Sequence, residues 1–300
     1  MSEPIGFIGL GNMGLAMAMC LIKRGFAISA FNRTAEKGKP LAELGAKLVD
    51  SPADAVQTGG VVITMLADDN ALRELTLERG VMEKLGKSGI HLSMSTVSPF
   101  TARELAEKHA QIGAHFLSAP VFGRPEHAKD GKLWVCVSGN RSAKERVRPV
   151  LEAMSQGIYD FGEDVGSANV VKLAGNFMIC AVKEQLAEVF ALGHKFGIDP
   201  KLLADFYTAT LFNAPIYKRY AELIINGLYE PAGFRLSLGV KDINLLAEAS
   251  AKVSVPMPFA NIVRDRLLTA LAKGRGELDW SALALGALED AGIDNAFTKR

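Results

Sequence analysis

Gly9-Leu10-Gly11-Asn12-Met13-Gly14, inside the run GFIGLGNMG at residues 6–14, decides how the chain begins to fold. Its glycines are spaced G-x-G-x-x-G. An apolar run at 5–9 leads into them, and a helical pattern at 11–23 leads out and stops at Gly25. In that setting each glycine has a physical task. Gly9 allows a tight turn, Gly11 lets the backbone approach a pyrophosphate, and Gly14 lets helix and strand pack closely. The helix start turns free N–H groups and the positive end of its dipole toward an anion. This strand–turn–helix unit therefore points to a dinucleotide-binding sheet, with Asn12 and Met13 completing the turn.

The next strand, predicted at 27–32, ends in Asn32-Arg33-Thr34. A site for NAD usually carries Asp or Glu there, to bond the ribose 2′-hydroxyl. Here no carboxylate is present to repel a 2′-phosphate. Arg33 offers a planar fork for one, Thr34 a hydroxyl, and Lys37 further charge. The expected cofactor is therefore NADP(H).

Outward from this start, apolar runs alternate with amphipathic stretches. Helix is expected at 34–43, strand at 60–66 (GVVITML), helix at 70–78, strand at 90–93, helix at 99–112 and strand at 115–118. Strands at 133–138 and 157–161 flank a helix at 143–154. Such alternation predicts an α/β domain built on a mostly parallel sheet covered on both faces. The pattern changes near Gly162. From 167 to 196 apolar residues run nearly all the way round one helix, which reads as buried. Asp199-Pro200, Pro215, Pro256, Pro258 and Asp279 then punctuate at least four more helices. The expected organisation is a Rossmann domain at 1–164 and an all-helical domain at 165–300, the latter for substrate and oligomerisation.

Composition narrows the class further. The 300 residues carry 34 basic and 33 acidic side chains, a formal charge of +1, so no basic excess points to nucleic acid or an anionic membrane. No apolar run is long enough to span a bilayer, and no secretory signal is evident, so a cytoplasmic protein is expected. Cys20, Cys136 and Cys180 fit neither a disulfide framework nor a metal site. His91, His109, His115, His127 and His194 form no metal-ligand spacing, so no metal is expected.

The motifs, taken in order, resemble those of the β-hydroxyacid dehydrogenases, which include 3-hydroxyisobutyrate dehydrogenase and the glyoxylate/succinic semialdehyde reductases. The likeness runs over nearly the whole chain. It is carried by the glycine turn, Asn32-Arg33-Thr34, Ser95-Thr96, the segment from Gly166 through Lys172 to Asn176, and FRLSLGVKD at 234–242. The resemblance implies a catalytic pair, Lys172 and Asn176. It implies cofactor contacts from the turn and from Asn32, Arg33, Thr34, Met65, Leu66, Thr96 and Lys241. Substrate contacts are implied for Phe122, Gly123, Arg124, Lys172, Asn176, Phe234, Lys241 and Asp242. A homodimer or homotetramer acting on a small carbonyl compound or hydroxyacid is implied as well. The 6-phosphogluconate dehydrogenases share the fold plan but are considerably longer.

The residues themselves suit that chemistry. Lys172 and Asn176 are four apart, on one face of a helix. A lysine ammonium beside a carbonyl oxygen stabilises the charge that hydride addition creates and supplies the proton, an effect worth roughly 10²–10⁴-fold. The family's substrate loop usually reads Asp-x-Pro-Val-Ser-Gly-Gly, whereas this chain has Ser118-Ala119-Pro120-Val121-Phe122-Gly123-Arg124. Phe122 replaces a serine and Arg124 a glycine. Either Arg124 itself binds a carboxylate, or the pocket takes a larger, more apolar carbonyl compound or an imine. Beside the dehydrogenase reading stand imine reduction on the same scaffold and a catalytically silent NADP-binding module. Retention of Lys172 counts against both.

Overall fold

The computed structural model describes residues 4–293 and residue 297. Its chain divides into two compact units, Met1–Lys172 and Leu173–Arg300.

The first unit is built on six strands: β1 (Ile5–Ile8), β2 (Ile28–Phe31), β3 (Lys47–Leu48), β4 (Val61–Thr64), β5 (Ile90–Ser93) and β6 (His115–Ser118). They lie in the order β3-β2-β1-β4-β5-β6, and every pairing is parallel. Neighbouring residues of a strand point to opposite faces, and both faces are covered. Phe7 and Ile63 enter one core with Met17, Leu21 and Val147, while Ile8 and Val62 enter another with Val81 and Leu85. The crossover helices Asn12–Lys23 and Pro99–Gln111 stand where the periodicity put them.

Three sequence expectations for the first unit need correction. The strands expected at 133–138 and 157–161 do not extend the parallel sheet. They are β8 (Leu133–Val137) and β9 (Ser155–Asp160) of a second sheet, which also contains the short β7 (Val121–Phe122). β7 runs antiparallel to β8, and β8 parallel to β9. The helix expected at 34–43 is broken into a tight turn, Ala35–Gly38, and one α-turn, Lys39–Ala42, where Pro40 removes a donor. That expected at 70–78 is α-helical only over Asp69–Arg73 and widens to an i→i+5 turn over Glu74–Glu78.

Helix Ser167–Lys195 spans the junction of the two units, and Gly197 (φ +75°) follows its end in the left-handed region. Contrary to expectation, it is not buried all round. Met178, Val189 and Leu192 are exposed, as is Phe196 just past its end, at 77%. Their spacing puts them on one face. Apolar periodicity reports that a face avoids water but not whether its own chain covers it.

The second unit is helical: Pro200–Ala209, Pro215–Ile225, Leu236–Lys252, Pro258–Ala272 and Ala284–Asp290 follow. Asp199 caps the first of these by accepting from the Lys201 N–H. Phe190, Leu223, Ile224, Val263, Leu267 and Trp280 form its core.

Candidate active site

The sheet order reverses between β1 and β4, and in such sheets the crevice outside the carboxyl ends at that switch point receives the ligand. The turns leaving β1, β2, β4 and β5 converge there. Gly9 has φ +99°, and a Cβ on it would lie 2.4 Å from the Met65 carbonyl. At Gly14 a Cβ would lie 1.9 Å from the Gly9 carbonyl, so helix Asn12–Lys23 sits directly on the turn. Gly11, by contrast, has nothing within 4 Å of an added Cβ, and no side chain caps the helix it starts. An uncapped helix N-terminus beneath an open glycine is a cradle of the shape and polarity of a pyrophosphate. The residues present therefore fit a bound dinucleotide.

Asn32 organises this turn. Its Oδ1 accepts from the Leu10 N–H at 2.8 Å, and its Nδ2 donates to the Thr34 carbonyl at 2.8 Å. Arg33 and Thr34 beside it are exposed. At the neighbouring edge, the Leu66 N–H donates to Ser95 Oγ at 2.8 Å, which ties the loop after β4 to the loop after β5. Met65, Leu66 and Thr96 are half-buried there.

Lys172 belongs to the same compact unit. Its Nζ lies 4.1 Å from the centre of the Phe122 ring, a cation–π distance. Cys136 lies close enough for the Lys172 charge to pull its thiol pKa down, although burial, the larger effect, pushes it up overall. Gly123 follows Phe122 with φ +141°, which breaks the strand alternation. The main-chain N–H of Arg124 then donates to His127 Nδ1 at 3.2 Å, so His127 caps the short helix Pro125–Lys129.

The second unit gathers the remaining candidates in two places. Asn176, buried one turn beyond Lys172, donates from Nδ2 to Asp242 Oδ2 at 2.5 Å. Lys241 Nζ lies 3.0 Å from the other oxygen of Asp242. Phe234 packs edge-on against Trp280, ring centres 4.7 Å apart, as part of the helical core.

Sequence reasoning missed several structured polar groups. Asp69 Oδ1 accepts from the Ser98 N–H and from the Thr101 hydroxyl, and Arg73 bonds both Thr101 and Glu104. Lys183 is fully buried with Nζ 3.2 Å from the centre of a Trp280 ring. Two-residue alternation in LWVCV would have set Trp134 and Cys136 on the face opposite Leu133 and Val135. His91 and His109 are interior residues. Among the described residues no cluster of metal-binding side chains occurs, and no helix is long and apolar enough to cross a membrane.

Comparison with known proteins decides the family. Residues 4–165 match the NAD binding domain of 6-phosphogluconate dehydrogenase, and residues 166–285 match the family described as NAD-binding of NADP-dependent 3-hydroxyisobutyrate dehydrogenase. The chain belongs to the β-hydroxyacid dehydrogenase family. This β-hydroxyacid dehydrogenase homologue is 39% identical to uncharacterized oxidoreductase YfjR of Bacillus subtilis over 93% of its own length and 98% of the relative's. It is 31% identical to glyoxylate/succinic semialdehyde reductase 2 of Arabidopsis thaliana, covering 93% of this chain and 78% of that one. A solved structure of Mycobacterium tuberculosis 3-hydroxyisobutyrate dehydrogenase with L-serine superposes with a TM-score of 0.85 at 28% identity, over 95% of this chain and 99% of the other. This homologue is thus an oxidoreductase with a nicotinamide-dinucleotide-binding domain.

Proposed function

We propose that the protein is an NADP(H)-dependent reductase or dehydrogenase acting on a small aldehyde or keto acid, or on the matching hydroxyacid, with Lys172 as proton donor and acceptor. The observation that carries this is the ammonium of Lys172, held over Phe122 in the unit that bears the glycine turn. Gly9, Gly11, Asn12, Met13 and Gly14 would hold the pyrophosphate, Arg33 and Thr34 the 2′-phosphate, and Met65, Leu66 and Thr96 the neighbouring ribose. When bound, the nicotinamide supplies a hydride to the carbonyl carbon. As the carbonyl oxygen gains charge, Lys172 Nζ stabilises it and releases a proton to it, leaving an alcohol and a neutral amine that solvent reprotonates. In the oxidising direction the neutral amine accepts that proton. Asn176, Asp242 and Lys241 form a linked group that would orient the substrate. The protein works as a cytoplasmic homodimer or homotetramer, which the exposed apolar face of Met178, Val189, Leu192 and Phe196 supports.

The test is turnover of NADPH with a panel of aldehydes and keto acids, wild type against Lys172→Met. The variant should keep NADPH affinity and lose about 10²–10⁴-fold in kcat, the worth of a positioned general acid. Equal turnover in the two proteins would remove Lys172 from the chemistry. Tight NADPH binding with no turnover by wild type would favour a silent module.

A further inference from the structure

Strand register groups with Phe122, the ring under Lys172, a set of side chains that the proposed reaction does not use. Phe122 of β7 is the cross-strand partner of Trp134 on β8, and directly paired residues point to the same face. On the other side of β8, Trp134 pairs with Gly157 and Cys136 with Tyr159. One face of this small sheet therefore carries Phe122, Trp134, Cys136, Gly157 and Tyr159, and none of these is charged. The opposite face, with Leu133, Val135 and Val137, is committed to the hydrophobic core.

The part of this face around Trp134 and Tyr159 is open and shaped, while Cys136 is buried. A Cβ at Gly157 would fall 2.5 Å from the Trp134 ring and 3.5 Å from that of Tyr159, so both rings lie down over the bare glycine backbone. Trp134 and Tyr159 have ring centres 6.0 Å apart and remain 42% and 54% exposed. Large aromatic surface left open is costly to keep in water unless something covers it. Phe122, under Lys172, is the cross-strand neighbour of Trp134, and the Trp134 ring in turn meets that of Tyr159.

We infer that this aromatic face is a subsite for the substrate's tail, and that the preferred substrate is a carbonyl compound bearing an aryl or extended apolar group rather than a second carboxylate. This rests on the Lys172 reading above and narrows its substrate class. A carboxylate laid on Phe122 would lose water without gaining a donor from the ring, and the π-face repels an anion. A flat apolar group there gains burial and stacking while its carbonyl stays near Lys172.

The experiment compares three aldehydes with the NADPH-loaded enzyme: 3-phenylpropanal, succinic semialdehyde and propanal. Wild type should show kcat/KM at least about tenfold higher for 3-phenylpropanal than for succinic semialdehyde, and Trp134→Ala should cut the 3-phenylpropanal-to-propanal ratio by about tenfold. Trp134→Phe, which keeps a ring, should restore most of that ratio. Binding of 3-phenylpropan-1-ol, followed by calorimetry, should be clear in wild type and weakened in Trp134→Ala. The inference is overturned if succinic semialdehyde is the better substrate, if the ratio is unmoved by Trp134→Ala, or if the phenyl alcohol does not bind. It also falls if Trp134→Ala changes the oligomer's mass in sedimentation and not the ratio, since the face would then hold a second chain. Lys172→Met separates the two claims. Full activity in that variant sinks the catalytic assignment, whereas lost activity with no aryl preference sinks only the subsite.

Discussion

On the proposed reading, Arg33 would set the cofactor preference from an exposed position without touching the fold. Asn32 beside it is spent on structure, both ends of its amide bonded to the main chain. Arg33 is exposed just past the end of β2, where a 2′-phosphate would sit. Exchange to Asp removes a charge-assisted contact and adds a repulsion. Arg33→Asp should therefore shift the NADPH/NADH ratio of kcat/KM toward NADH by about 10–100-fold, with little change in thermal stability. An unchanged ratio would show that Arg33 does not meet the 2′-phosphate. At this scale the sequence was uneven. The glycine turn was legible because its signal is local, namely spacing, a strand before and a helix after, whereas Lys172 was singled out by resemblance and by its spacing from Asn176. The pairing of Asn176 with Asp242, 66 residues away, rests on tertiary packing that spacing does not encode. The placing of Trp134 next to Phe122 was hidden for a similar reason, since it follows from β7, a strand of two residues.

Among elements, the glycine turn carries the most demanding geometry, and two of its glycines make opposite predictions. Gly14→Ala would drive a methyl group into the Gly9 carbonyl, so helix Asn12–Lys23 must lift off β1. The cost should be about 1–3 kcal/mol or more in unfolding free energy, together with lost dinucleotide binding. Gly11→Ala meets no neighbour and keeps an ordinary φ of −69°. That variant should fold normally yet bind NADPH at least about tenfold more weakly, because its methyl group occupies the space left for the pyrophosphate. Urea unfolding and NADPH titration of both variants check this. Two stable variants that bind normally would remove the turn from the cofactor site. Element prediction was reliable where both period and punctuation were strong, as in β5 and β6. It failed at β3, whose two residues are exposed, and at Pro40, whose ring divides an otherwise helical pattern.

For the whole molecule, acid should act differently on the two units, because burial lowers the pKa of His91 and His109 in the first and raises that of Glu184 in the second. In the first, His109 Nδ1 donates to the Leu105 carbonyl at 2.7 Å, which leaves Nε2 to accept from His91 Nδ1–H at 3.3 Å. His91 Nε2 then accepts from the Thr64 hydroxyl at 2.9 Å. Every position in that chain is filled by a neutral ring, and Phe116 packs against both. Burial holds His91 well below 6.5 and lowers His109, the latter partly offset by its bond to Leu105. The unfolded chain takes up protons near pH 6.5 that the folded chain refuses, so this stabilisation is complete above that pH and falls as pH drops below it. Going from pH 7 to 5.5 should therefore weaken the first unit, chiefly through His91, whose protonation in the fold burial opposes most. In the second unit, burial raises the Glu184 carboxyl pKa, and Arg266 at 2.7 Å only partly counters this. A raised carboxyl favours the folded form as pH falls, so this group opposes acid unfolding. Hydrogen exchange at pH 7 and 5.5 should therefore show protection lost first in β4, β5 and helix Pro99–Gln111, with the helices around Glu184 changing less. Substituting His91→Asn and His109→Gln together should flatten the first unit's response between those two pH values. Equal loss of protection in both units, or a double variant as acid-sensitive as wild type, would show that the buried imidazoles do not set the acid limit.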